Sequence, residues 1–287
     1  MTALGLMLRR DSSQATFRSV AAAAETLGFQ CVWTNHPPSQ DGFGPLAWAA
    51  AATSRIRLGV GVVPIAAYDP PAIAERVRET ALPLDRLRLG VGTGAASLPL
   101  TRVCAALSEL RTRLPVELVL AALGPRMCAL AGREADAVLL NAVTPAYAHT
   151  SAEIVARAAE AVGRPTPRVY ALVSVAIGDE AAALQQRAAA FYQHIPAYAA
   201  HFQRQGVAAA EVLHTAASSA ELLEHLRPWA GVVDELVLGL AMSPDRAEEA
   251  LPLVAAAAHG FRSPPRTSNT PLPWYERSLG RKRSDPD

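Results

Sequence analysis

His36, preceded by Asn35 just after the apolar run CVWT, is the residue in this chain best suited to move a proton. An imidazole titrates near neutral pH, so it can give or take a proton beside a reacting group. The same histidine also reads as a surface residue in a proline-rich loop. A second candidate is ALGPRM at 122–127, where an apolar run passes into a helical pattern. The N–H groups of a helix's first turn lack intrahelical partners. Gly124 permits close approach and Arg126 can pair with an anion, so this stretch reads as a phosphate site or as a plain strand-to-helix turn. The three cysteines, Cys31, Cys104 and Cys128, are isolated and odd in number, so neither a disulfide framework nor a metal site is expected.

Chemistry of this kind needs elements that bring distant residues to one place. Eight apolar runs of strand length occur at 3–8, 30–34, 56–63, 86–91, 116–121, 135–141, 169–177 and 235–240, each followed by a helix-period segment. The count points to an α/β fold, a closed (β/α)8 TIM barrel rather than a doubly wound sheet. The first strand also ends in LRRDSSQ, without the Gly-rich turn of a dinucleotide site. In such a barrel the strand C-terminal ends surround the mouth where ligands bind. That rule gathers Asn35, His36, Gly61, Val62, Val63, Pro64, Thr93, Gly94, Gly124, Pro125, Arg126 and Asn141 at one end.

Helix signals fit between the strands. Ser12 or Ser13 can cap the first helix, which should stop at Gly28, and Pro70 and Pro71 are tolerated in the first turn of the third. A long helical stretch from Asp179 to about Gly206, with a second at about 218–229, exceeds what one crossover needs. The reading is a helical insertion at about 179–230, between strands 7 and 8, covering one mouth of the barrel. The barrel itself is expected to span 1–260. The Pro-, Arg- and Ser-rich stretch 261–287 reads as a flexible tail, with Trp274 and Tyr275 as the pair that could dock.

At 287 residues the chain can bury about 75% of its unfolded surface in one core. A net charge of +1 gives no broad footprint for nucleic acid, so a small molecule is the expected partner. No apolar stretch is long enough to span a membrane, and the N-terminus lacks a signal-peptide layout, so a cytoplasmic protein is expected.

Several ordered stretches, AETLGFQCVWTNH, ATSRIRLGVGVVP, LRLGVGTG and ALGPRMCALAGREADAVLLNAVTP, together resemble the luciferase-like monooxygenase superfamily. Within it the chain is most similar to the methylenetetrahydromethanopterin reductase-like oxidoreductases that use coenzyme F420. The likeness runs from about Ala3 to Leu240 and includes FYQHIPAYAAHF in the style of the family's insertion helix.

The resemblance implies a barrel of the bacterial-luciferase type with F420, or alternatively FMN, in its mouth. It implies a non-prolyl cis peptide between Gly61 and Val62 behind the cofactor ring, and a phosphate site formed by Leu123, Gly124, Pro125, Arg126 and Met127. Thr93, Gly94 and Asn141 join the cofactor contacts, and a homodimer is expected. Trp33 and Tyr68 could wall a planar ring, although barrel-core packing competes for Trp33. Tyr192, His194 and Tyr198 on the insertion could reach the substrate or could serve ordinary packing.

Two departures stand out. Asn35 occupies the place where the family usually has an acid, and Ala95, Ala96 and Ser97 follow GVGTG where many F420-dependent relatives carry a glutamate. Three functions follow as expectations. The first is an F420-dependent oxidoreductase transferring a hydride to or from a small organic substrate, with His36 and Asn35 as catalytic residues. The others are an FMN-dependent luciferase-like monooxygenase, and a non-catalytic or repurposed barrel that binds a flavin-like ligand, or none, and acts by association.

Overall fold

Strand β1 (Ala3–Met7) pairs in parallel with β2 (Cys31–Thr34), and pairing continues through β3 (Arg57–Pro64), β4 (Leu87–Gly92), β5 (Glu117–Ala122), β6 (Ala137–Asn141) and β7 (Arg168–Ile177). The ring then skips β8 (Leu213–Ala216) and is closed by β9 (Glu235–Ala241), which pairs with both β7 and β1. This computed structural model describes residues 1–94 and 99–262. All eight expected barrel strands are present within two residues of their expected ends. Their near-continuous Val, Leu and Ala content suits strands buried on both faces.

The first six strands are each followed by one helix: α1 (Gln14–Thr26), α2 (Phe43–Ala51), α3 (Pro70–Glu79), α4 (Pro99–Arg113), α5 (Pro125–Glu134) and α6 (Pro145–Glu160). Side chains fix several starts, since Ser13 accepts from the Thr16 amide, Asp69 from Ala72 and Thr144 from Tyr147. Gly28 takes the positive φ that ends α1.

Beyond β7 the sequence expectation needs amending. The single long helix is two, α7 (Ala181–Gln193) and α8 (Pro196–Gln205), because Pro196 has no N–H to continue a helix and instead starts a new one. The insertion is also not purely helical. β8 pairs with the outer half of β7, Ser174 to Ile177, just past the point where the pairing of β6 ends at Leu172. Four residues, half of them polar, left no strand signal. The helix expected at about 218–229 is α9 (Ser219–Leu226) with a short 3-10 turn after it, and it packs on α10 (Leu251–Arg262) as the barrel's seventh helix. The tail beyond 262, with Trp274 and Tyr275, lies outside the described residues. Among the described residues no helix is long and apolar enough to cross a membrane.

Where β8 meets α9, the imidazole rings of His214 and His225 stack with centroids 4.5 Å apart. Burial first, and His225 second, lowers the His214 pKa from 6.5 to about 4. Between those two values the unfolded chain binds a proton that the folded chain refuses, so stability falls as pH drops through that window. A thermal unfolding series should show the melting temperature declining from about pH 6.5 to pH 4, with a shallower decline in His214→Gln. An equal slope in both proteins would contradict the assignment.

Candidate active site

Alternation along each strand sends every second side chain into the barrel. Low in the interior, Arg88 Nη1 lies 2.6 Å from Glu235 Oε2, and its Nε lies 3.4 Å from Glu117 Oε2. Trp33 Nε1 donates to Glu235 Oε1 at 2.9 Å, the Tyr170 hydroxyl donates to Glu117, and the Arg88 guanidinium sits 4.6 Å from the Tyr170 ring centroid. Trp33 is fully buried. It therefore packs in the barrel core, the competing sequence reading, rather than walling the mouth.

The Trp33 ring carries the floor above it. A Cβ on Gly59 would come within 2.2 Å of that ring, and one on Gly61 would sit 3.5 Å from it and 3.1 Å from both Met7 and Leu139. The peptide between Gly61 and Val62 is cis, and the register of β3 on β4 shifts between Val60 and Val63. Opposite this bulge, a Cβ on Gly90 would meet the Val60 carbonyl oxygen at 2.1 Å, and one on Gly92 would meet Val62 at 2.8 Å. The glycines of GVGTG thus make room for the neighbouring strand. Thr93 donates to the Gly94 carbonyl, and Gly94 has φ +57°. Ala95, Ala96 and Ser97 lie outside the described residues.

One wall of the mouth is Asn141, whose Nδ2 donates to the Tyr198 hydroxyl at 2.7 Å. The helix carrying Tyr198 is tied down by its neighbours. His201 Nε2 contacts the Asn141 and Ala142 carbonyls at 3.1 and 3.0 Å, and Gln205 bonds the Ala142 carbonyl and the Thr144 amide. Tyr192 packs 4.5 Å from Tyr198, within a small apolar cluster of the insertion. His194 is exposed at the end of α7, against the Ala190 carbonyl, and does not reach the mouth.

Beside the mouth, Gly124, Pro125, Arg126 and Met127 line a cleft of about 710 Å3, together with the start of α4 and Arg204 of α8. Arg204 Nη2 donates to the Leu123 carbonyl at 3.3 Å, and a Cβ on Gly124 would press to 3.4 Å from it. Two guanidinium groups and the positive end of α5 converge here, a setting suited to an anion. Arg204 escaped the sequence reading. Its only signal was a base on the insertion six residues past Tyr198.

His36 occupies a different place. It lines a cleft of about 410 Å3 with Phe43, Val63, Tyr68 and Arg76, between the β2–α2 loop and α3. Its Nδ1 accepts from the Gly42 amide at 2.9 Å, which leaves the proton on Nε2 of the neutral ring. Burial lowers its pKa, partly countered by Asp41 and reinforced by Arg76. Tyr68 packs on it at 4.9 Å, and the Tyr68 hydroxyl accepts from the Ser39 amide. Asn35, next in the inward series after Cys31 and Trp33, is half-buried at the strand end.

A family profile described as luciferase-like monooxygenase matches residues 2–114 and 98–263. The chain belongs to the luciferase-like monooxygenase family. Members are oxidoreductases that depend on a flavin or on F420. This luciferase-like chain is 41% identical over 71 residues to a Mycobacterium tuberculosis protein named for coenzyme F420-dependent oxidoreductase activity. That match spans 25% of this chain and 19% of the relative. It also shares its fold with an F420-dependent secondary alcohol dehydrogenase, solved with an F420-acetone adduct, at 16% identity and a TM-score of 0.73 over 91% of this chain and 99% of that one. The coenzyme F420-dependent tetrahydromethanopterin reductase of Methanopyrus kandleri gives 18% identity and a TM-score of 0.69 over 88% and 97%.

If Gly90 exists to admit the bulge of β3, then Gly90→Ala should lose about 2–3 kcal/mol in urea unfolding. Unchanged stability would show that the bulge has room to spare.

Proposed function

We propose that this chain is an F420-dependent oxidoreductase that transfers a hydride between the deazaflavin and a small organic substrate. The observation that carries the reading is an anion cleft with two arginines beside a glycine-floored mouth. A planar ring with a phosphate-bearing tail needs both. The M. tuberculosis relative, 41% identical over 71 residues, supports F420 in particular.

Gly61 and Val62 would hold the ring, and Gly124, Arg126 and Arg204 the phosphate. When bound, the deazaflavin supplies a carbon centre that takes or gives a hydride. The chain's own residues place the reactants and manage the proton. His36, in the cleft that Val63 also lines at the end of the β3 bulge, keeps its ring proton on Nε2, which has no partner among the described residues and can offer a hydrogen bond to a substrate oxygen. The insertion, tied by α8 to the end of β6, keeps water from one side of the mouth.

Calorimetric titration with F420 and with FMN tests the reading. Saturable F420 binding, weakened about tenfold or more in Arg204→Ala, is expected. Tight FMN binding with no F420 binding would favour the monooxygenase reading. Binding of neither would leave the non-catalytic one.

A second expectation concerns His36. His36→Ala should lower turnover about 100-fold or more while leaving cofactor affinity nearly unchanged. Because burial lowers the pKa of His36, turnover that needs its neutral ring should hold below the ordinary histidine range and fall only at lower pH. Full turnover in the alanine variant would remove His36 from the chemistry.

A further inference from the structure

The polarity of the Asn141–Tyr198 contact leaves two hydrogen-bonding groups over at the mouth. An amide nitrogen has only protons to offer, so at 2.7 Å the Tyr198 oxygen is the acceptor. The phenol's own proton then has no acceptor among the described residues, and Asn141 Oδ1 has no donor. Asn141 Oδ1 is not sealed in the interior, and Tyr198 is half-buried rather than buried. Both can address a ligand.

Their position is set from below and from the side. Leu139, two residues earlier on the same face of β6, touches the space above Gly61 at 3.1 Å, so Asn141 and Tyr198 overhang the floor. His201 and Gln205 bond the β6–α6 turn from the same helix as Tyr198, which holds the phenol in place before any ligand arrives. Burial, above all, raises the Tyr198 pKa, so the phenol stays a donor at working pH.

A donor and an acceptor side by side complement an imide edge, where a carbonyl flanks an N–H. We propose that Asn141 and Tyr198 read the imide edge of the pyrimidinedione ring common to F420 and FMN. Tyr198 donates to a ring carbonyl, and Asn141 Oδ1 accepts the adjacent ring N–H. The inference rests on the cofactor reading above, and it gives helix α8 a role in recognising the ring beside the phosphate contact assigned to Arg204.

The test is fluorescence titration of the full chain with F420 and with FMN. Tyr198→Phe should weaken binding about tenfold, one hydrogen bond's worth. Asn141→Asp should do likewise, because a carboxylate would capture the phenol's proton. The unaltered chain should bind the N3-methylated form of whichever cofactor it takes at least about tenfold more weakly, since the methyl removes the ring N–H. That measurement does not depend on any variant folding. Wild-type affinity in both variants, or for the methylated cofactor, would overturn the inference while Arg204→Ala still reports on the cofactor reading. Binding of neither cofactor by the unaltered chain would overturn both.

Discussion

Inside the barrel, the guanidinium of Arg88 is enclosed with the carboxylates of Glu117 and Glu235. Taking such a charge out of water costs several kcal/mol, so the arginine persists there only because both acids face it at short range. Removing one partner from a buried pair leaves an uncompensated charge, at a cost of about 3–5 kcal/mol. The consequence reaches past stability. Glu235 Oε1 also receives the Trp33 indole, and Trp33 is the surface on which Gly59 and Gly61 rest. The chain of contacts runs from β4 through β9 and β2 to β3, so one ion pair fixes the height of the mouth floor.

The glycines take their meaning from that arrangement. Gly59 yields to the Trp33 ring, Gly90 to the Val60 carbonyl and Gly92 to the Val62 side chain. A glycine-rich strand end invites interpretation as a ligand cradle. Here Gly59, Gly90 and Gly92 accommodate protein, and Gly61 is left partly exposed above Met7, Leu139 and Trp33. Beside this floor stand the loop at Gly124 and helix α8, which meet at Arg204 and Leu123. Rigid floor and attached insertion divide the work of holding a ring and holding its charged tail.

Much of the barrel was legible in the sequence because parallel strands buried on both faces read as apolar runs, and because Ser13, Gly28 and Pro70 mark helix ends chemically. β8 was not legible, since LHTA is too short and too polar to register. Nor was the interior network: Arg88, Glu117 and Glu235 each look like an ordinary charge at a strand's edge until the ring closes and points all three inward. The site was legible as positions but not as directions. His36 and Asn35 are adjacent in sequence, yet strand alternation turns Asn35 toward the barrel and leaves His36 in the cleft beside Tyr68 and Arg76. Trp33 likewise had two readings, and its full burial and its bond to Glu235 decide between them.

The central claim is that a deazaflavin lies in the barrel mouth, with its phosphate on the Gly124 loop. A crystal structure of the chain grown with F420 tests it most directly. The account predicts the ring against Gly61 and Val62, and the phosphate between Gly124 and the Arg126 and Arg204 side chains. A ring seated instead in the cleft of His36, Tyr68 and Arg76, or a phosphate away from Gly124, would contradict it.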